Sequence, residues 1–515
     1  MNLGLTLTQA ALRWPDKDAL VFEGRRWTYR AWNRIVNKAA HAFAAHGIKH
    51  GDRVAFLTWN LPEQVSGFYA LLKIGAIPVP INYRLAANEV KYIINDCGAR
   101  MVVFEEALRD RIMPIKRDLA TVERYIYVGA KLEADEISFE QFIAPGSDAE
   151  PPVGAELEDT AFIMYTSGTT GLPKGVMRSH RAELFGGMIM AIECGFRHDD
   201  SILNNKPLFH IAQLQLQFVP FVQIGGTNFL TRGFDVEETL SLCERERITC
   251  LHGVPTQMVM MVQADLQRFD LRALRCGFYG GQTLADDITK KMMPLFPDYF
   301  GNLYGSTEGL VVTVCDYRRH PDKIGSVGMA AINMEVRIVR QDSTDPNDIA
   351  APGSIGELIT RGPSVMSGYF NLPDKTAAVL RDGWYYSGDA SFADDAGFIT
   401  VMGRLDHTIK SGGENVHPSE VENVLFKHPG IANAAVVGLP SRKWGQAVCA
   451  AIIRKDAHLD AGVLDAFCIQ SPDLASFKRP RHYFFVDDIP SNSTGKVERG
   501  KLKDKLLATL PAPLD

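Results

Sequence analysis

Short apolar runs alternate with stretches of helical periodicity through the first half of the chain. Residues 53–59 (RVAFLTW) read as a buried strand, 62–75 (PEQVSGFYALLKIG) as a helix and 76–82 (AIPVPIN) as the next strand, and 99–105 (ARMVVFE) and 248–254 (ITCLHGV) continue the series. Apolar strands spaced by helices predict layered α/β architecture. Past about residue 315 the texture changes to Gly- and Pro-punctuated strands at 334–340 (MEVRIVR), 353–362 (GSIGELITRG) and 397–404 (GFITVMGR), which predict a smaller β-rich subdomain. At 403–425 a strand runs into a Gly-Gly loop and then a helix, whose start is marked by Pro418 with Ser419 and Glu422 beside it. The expected organisation is a large N-terminal domain, residues 1–405, and a small α/β C-terminal domain, residues 406–515.

Composition narrows the class. A chain of 515 residues exceeds what one hydrophobic core supports, which fits two domains or more. With 46% apolar and 23% charged residues and a net charge of -6, it has an ordinary soluble profile, and mild acidity argues against nucleic acid as the main partner. The eight cysteines form no CxxC pair, so neither a zinc site nor a disulfide framework is signalled. No run reaches the length of a membrane span, the N-terminus lacks a secretion signal and the C-terminus carries no targeting tripeptide. A cytoplasmic enzyme is expected.

Chemistry concentrates first at 165–175, YTSGTTGLPKG. Gly168, Gly171 and Gly175 let backbone N–H groups approach an anion, Thr166, Ser167, Thr169 and Thr170 add hydroxyl donors, and Lys174 adds a charge suited to phosphate. A helix read at 175–187 (GVMRSHRAELFGG) would add its N-terminal dipole. The stretch is not a Walker A loop, since Lys174 follows Pro173 and precedes Gly175. A triphosphate is the ligand this chemistry suits; a Ser/Thr/Gly surface turn is the plain alternative.

The string resembles the phosphate-binding signature of the adenylate-forming (ANL) superfamily, which contains the acyl- and aryl-CoA synthetases, and the likeness continues in order along the chain. PLFH at 207–210 resembles the motif that puts His210 between the acyl pocket and the reacting carboxylate. YGGQT at 279–283 resembles an adenine-pocket wall, with Gly281 and Gln282. In YGSTE at 304–308 the resemblance implies that Tyr304 stacks on adenine, Thr307 meets the α-phosphate and Glu308 holds Mg²⁺, a hard cation suited to carboxylate oxygen. YYSGD ends at Asp389, which would bind the ribose hydroxyls with help from Arg404, and Asp406 matches a hinge about which a mobile C-terminal domain turns. Lys496, closing PSNSTGK, resembles the catalytic lysine, whose charge would offset repulsion between a carboxylate and a triphosphate.

Further likeness, to benzoate-type ligases such as 4-chlorobenzoate-CoA ligase and to medium-chain fatty acid-CoA ligases, implies an ATP-dependent acid-CoA ligase. CoA would be met by Gly413 in SGGEN, by Trp444, Phe477 and Arg479, and by Arg84 of INYRL. For the aromatic residues, packing in a small domain is an equally good reading. The acid pocket would hold His210, Ile211, His252, Gly280, Leu303 and Gly305, with Gln213 and Gln215 either near it or facing solvent on an amphipathic helix. An aromatic acid and a medium-chain fatty acid both fit. The partners implied are a small carboxylic acid, ATP, Mg²⁺ and CoA, with a homodimer as a conceivable assembly; transfer to a carrier protein and a non-catalytic nucleotide binder are the competing functions.

Overall fold

The computed structural model describes residues 2–129, 136–166, 172–282, 284–491, 497–510 and 514. The chain divides into two compact units, one of residues 1–336 and 360–385, the other of residues 337–359 and 386–515.

The first unit contains three sheets. The largest has nine strands in the spatial order Met329–Ala330, Leu310–Asp316, Tyr299–Ser306, Cys276–Gly280, Cys250–Gly253, Ser201–Asn204, Thr227–Leu230, Asp18–Phe22, Arg25–Thr28. The six strands from Tyr299–Ser306 to Asp18–Phe22 are parallel, so their carboxyl ends lie along one edge. A second sheet of five parallel strands is ordered Ile77–Pro80, Arg53–Leu57, Met101–Glu105, Arg124–Val128, Ile137–Ser138. Its central strands are buried almost throughout, as parallel strands covered on both faces must be. Pro78 and Pro80 stand on its edge strand, where a missing N–H is tolerated. The helix Pro62–Ile74, with proline in its first turn, is buried on nearly every side. The third sheet is a three-stranded antiparallel set, Gly368–Tyr369, Lys174–Ser179 and Thr160–Thr166.

A five-stranded sheet of Glu335–Val339, Gly356–Arg361, Leu380–Arg381, Trp384–Ala393 and Ile399–Arg404, in which Trp384–Ala393 pairs antiparallel with Leu380–Arg381 and with Ile399–Arg404, is the β-rich texture read from the sequence. Wholly inside the second unit, the strands Glu414–Val416, Ile409–Ser411, Gly445–Arg454, Ile431–Ser441 and His482–Phe485 form a sheet. The helix Pro418–Leu425 and the helix Arg499–Leu507 each pack against the strand Ile431–Ser441. The α/β class, with layered sheets in the larger unit, is as expected.

One element differs from the sequence reading. Residues 174–179 are a strand, not the first turn of a helix, and the helix begins at His180 with Ser179 as its cap, accepting from Ala182 N. Tertiary pairing decides the outcome: the segment lies between Thr160–Thr166 and Gly368–Tyr369, and Gly175, Val176, Arg178 and Ser179 are buried.

Candidate active site

The edge formed by the carboxyl ends of the parallel strands collects most of the residues singled out in the first unit. Ligands of open α/β sheets bind along this edge. His210 and Ile211 follow the strand Ser201–Asn204, and His252 lies in the neighbouring Cys250–Gly253. Gly280 closes the next strand, with Gly281 and Gln282 exposed beyond it; Leu303, Tyr304 and Gly305 end the one after, leading into Thr307 and Glu308.

Thr166 and Lys174 are directly paired residues of an antiparallel hairpin. The intervening Ser167, Gly168, Thr169, Thr170 and Gly171 lie outside the described residues. With a strand at 174–179, the helix starts only at His180, so the helix dipole expected directly after the motif is withdrawn. Lys174 Nζ stands 4.9 Å from the centre of the Tyr369 ring, and the Tyr369 hydroxyl donates to Glu308 Oε1 at 2.9 Å. One tyrosine therefore joins the lysine of the first motif to the carboxylate of the second. Tyr369 was missed in the sequence, where SGYF carries no local chemical signal. The residue aligns with Val176 across the sheet, and Met366 N donates to the Glu308 carbonyl at 2.7 Å.

Glu308 offers the hard carboxylate oxygen that Mg²⁺ prefers, held in place by the Tyr369 hydroxyl.

On the acid side the structure places polar groups deep in the protein. Gln213, Gln215 and Gln217 are buried, so the solvent-facing alternative is corrected. The segment Leu214–Phe218 is a π-helical turn whose five side chains are all buried, packed against the helices His180–Glu193 and Val219–Ile224 and the strands Ser201–Asn204 and Leu310–Asp316. Gln213 accepts from Lys206 N at 2.9 Å, and Gln217 Nε2 donates to His252 Nδ1 at 2.6 Å. His252 stacks on Phe278 with ring centres 4.7 Å apart. His210 Nδ1 accepts from Ala212 N at 3.1 Å, which leaves Nε2 to carry the proton of the neutral ring. Burial, reinforced by the nearby Lys206 charge, lowers the His210 pKa to about 4 and that of His252 well below its ordinary value. Both rings are neutral at pH 7, and His210 is a hydrogen-bond donor rather than a cation.

The PLFH turn meets the INYRL segment through aromatic contacts. Phe209 packs edge-on to Tyr83 at 5.3 Å, Tyr83 stacks on Trp59 at 4.3 Å, and the Arg84 guanidinium lies 5.6 Å from the Tyr83 ring.

In the second unit Asp389 and Arg404 are directly paired across a hairpin, with Arg404 Nη1 3.5 Å from Asp389 Oδ1. The same nitrogen donates to the Ser387 carbonyl. Gly388, at φ 71°, makes room for the guanidinium: a Cβ there would stand 2.7 Å from Arg404 Nη2. Asp406 follows, its Oδ1 3.6 Å from Arg404 Nε. Gly412 and Gly413, at φ 61° and 88°, form the two-residue turn of the hairpin Ile409–Ser411 and Glu414–Val416, a turn that demands positive φ at both positions. Gly413 faces open space, whereas Gly412 lies against Trp444, whose ring is flanked by Lys443 and Arg481 at 4.9 and 5.0 Å. Phe477 is exposed, and Arg479 Nε is bound to Asp465 at 2.8 Å. Arg481, not foreseen, is thus one of two cations over the tryptophan ring, with Lys443. Lys496 lies outside the described residues.

Sequence and structure comparisons agree on one family. The model of the AMP-binding enzyme family matches residues 7–370, and that of the AMP-binding enzyme C-terminal domain matches residues 420–496. A feruloyl-CoA synthase from Amycolatopsis sp is 33% identical over 507 residues, covering 98% of each chain. An indoleacetate-CoA ligase from Aromatoleum aromaticum is 34% identical over 501 residues, covering 95% of each. The crystal structure of an anthranilate CoA ligase in complex with anthranoyl-AMP superposes with a TM-score of 0.90 at 26% identity, over 99% of this chain and 98% of that one. The chain belongs to the AMP-binding enzyme family, as an acyl-CoA synthetase of the adenylate-forming superfamily.

Proposed function

We propose that this synthetase is an AMP-forming acid-CoA ligase whose acid is aromatic and carries polar substituents. The observation behind the acid is the buried polar group of Gln213, Gln215, Gln217 and His252 next to His210, more hydrogen-bonding capacity than a hydrocarbon tail can use. Relatives named for ferulate, indoleacetate and anthranilate support the same choice.

In the proposed mechanism the carboxylate oxygen attacks the α-phosphorus of ATP, the bond to the bridging oxygen breaks and pyrophosphate leaves. The CoA sulfur then attacks the carbonyl carbon of the acyl-adenylate, and AMP leaves with the bonding pair. Lys174 and the loop at 166–171 hold phosphate oxygens, Glu308 would hold Mg²⁺, and the neutral His210 donates Nε2–H to the carboxylate. The ion supplies charge neutralisation on the phosphates when bound. Gly281, Gln282, Tyr304 and Thr307 seat the nucleotide, Asp389 and Arg404 its ribose, and Lys496 offsets charge in the first step. Residues 406–515 turn about Asp406 between steps, and the second step uses Gly413, with Arg84, Trp444, Phe477 and Arg479 meeting CoA. The eight cysteines are buried and free, the state expected of thiols in a reducing cytoplasm, where we place the enzyme.

The test is pyrophosphate release with and without CoA across benzoates, phenylpropanoids and straight-chain acids. CoA-stimulated turnover confined to aromatic acids supports the reading. Preference for straight-chain acids overturns the choice of acid, and turnover indifferent to CoA points to another acyl acceptor, such as a carrier protein.

A further inference from the structure

Among the described residues of the first unit two lysines are buried, and they are provided for differently. Lys73 Nζ has a carboxylate partner, Glu150, at 2.7 Å, with Asn33 and Asn37 completing its donors. Lys206, just before the PLFH turn, is 6% exposed, and among the described residues no carboxylate lies within ion-pair distance of it. Its Nζ donates to the His252 carbonyl at 2.7 Å and to Asn205 Oδ1 at 3.1 Å. An ammonium has three N–H donors, so one is left over. A buried charge without a counter-charge is costly and is normally avoided.

Unused capacity recurs nearby. Both amide atoms of Gln215 and the Oε1 of Gln217 are buried without a hydrogen-bond partner among the described residues. Both residues sit on the π-helical turn Leu214–Phe218, a form frequent at functional sites. The turn is linked to Lys206 through Gln213 and to His252 through Gln217. Lys206 and Gln217 both touch His252, and each keeps an unused hydrogen-bonding group there, whereas Gln215, two residues from Gln217 on the turn, faces the other way.

We propose that Lys206, with Gln217, forms a subsite for an oxygen substituent of the acid, a second carboxylate or a phenolic hydroxyl. The inference rests on the proposed ligase function and narrows its substrate to oxygenated acids. A carboxylate would supply the missing counter-charge. A phenol would donate to a glutamine carbonyl and accept from the ammonium. Burial lowers the Lys206 pKa to about 7, which accords with a cation that lacks its partner in the free enzyme.

The experiment uses matched acids: cinnamate, 4-hydroxycinnamate and 4-carboxycinnamate, with benzoate and 4-hydroxybenzoate as a second series, read as kcat/KM for CoA-dependent AMP release. Expected is a preference of at least ~10-fold for the oxygenated member, the behaviour of a site built to bind an oxygen. Lys206→Met should collapse that ratio toward one, while Lys206→Arg retains part of it. Should Lys206→Met fail to fold, Gln217→Leu and the wild-type ratios decide. Equal or better turnover of the unsubstituted acids by the wild type overturns the subsite and leaves the ligase intact. Absence of CoA-dependent turnover with every acid brings down the ligase reading first, and the subsite with it.

Discussion

Arg178 and Glu183 form an ion pair at 2.8 Å in which neither side chain is exposed to solvent. The pair spans the junction between the strand Lys174–Ser179 and the helix that follows. Arg178 Nη1 donates to the Ser364 carbonyl at 2.8 Å, and the Thr307 and Glu308 carbonyls lie 3.4 and 3.5 Å away. Burial raises the Glu183 pKa and the Arg178 charge opposes that rise. The arginine thereby ties the strand that leaves the phosphate hairpin to the backbone of the second motif.

Removing one partner of such a pair costs about 3–5 kcal/mol, because the other charge is left buried and alone. Arg178→Met should therefore lower the urea midpoint sharply, and Arg178→Met combined with Glu183→Leu should recover most of that loss. A positioning role adds a further expectation: the double variant keeps a raised KM for MgATP even where stability has returned. A double variant with wild-type KM would show that the pair only stabilises the fold.

Tyr369 tests the link between Lys174 and Glu308 more directly. Tyr369→Phe keeps the ring under the ammonium and removes only the hydroxyl bonded to Glu308, so its effect should fall on Mg²⁺ dependence, as a higher metal concentration for half-maximal rate. Tyr369→Ala removes the cation–π contact as well, worth about 0.5–2 kcal/mol, and should additionally weaken ATP binding up to ~30-fold. Equal effects of the two substitutions would argue that the hydroxyl carries the whole contribution.

The legible parts of this fold are those that local chemistry determines. Pro62 and Gly75 bracket a helix in the sequence and in the structure, and the apolar run at 101–105 is a buried central strand. The misread stretch, 175–179, is a strand because it pairs with the adjacent hairpin strand Thr160–Thr166 and with Gly368–Tyr369 far along the chain, and the second pairing delivers Tyr369 to Lys174. The burial of Gln215 was equally invisible, since the turn Leu214–Phe218 is enclosed by helices and strands from other parts of the chain. Motif residues could be named from their spacing, whereas Arg178, Tyr369, Lys206 and Arg481 depend on which strands become neighbours.

The two half-reactions should separate on substitution. Lys496→Ala should cripple adenylate formation and spare thioester formation from supplied acyl-AMP. Gly413→Val should do the reverse, because a β-branched residue is strained at φ 88° and would distort the exposed turn. Parallel loss of both half-reactions in both variants would refute the division of labour.

Lys206 carries a prediction for stability as well as for substrate choice. The titratable neighbours that face it are His210 and His252, both neutral across the working range, so the lysine titrates against no nearby carboxylate. With a pKa of about 7 in the folded enzyme and an ordinary value near 10.5 when unfolded, the unfolded chain binds more protons between those limits. Stability of the free enzyme should therefore rise with pH over that window, with a contribution of up to ~1.4 kcal/mol per pH unit, and burial of the charge should cost most below about pH 7. Urea unfolding from pH 7 to 9.5 measures the slope, which Lys206→Met should flatten. An acid bearing a second carboxylate should protect most at the lower pH, where the ammonium is charged. A wild-type slope that the substitution leaves unchanged would mean that Lys206 stays protonated throughout, held by the His252 carbonyl and Asn205 alone.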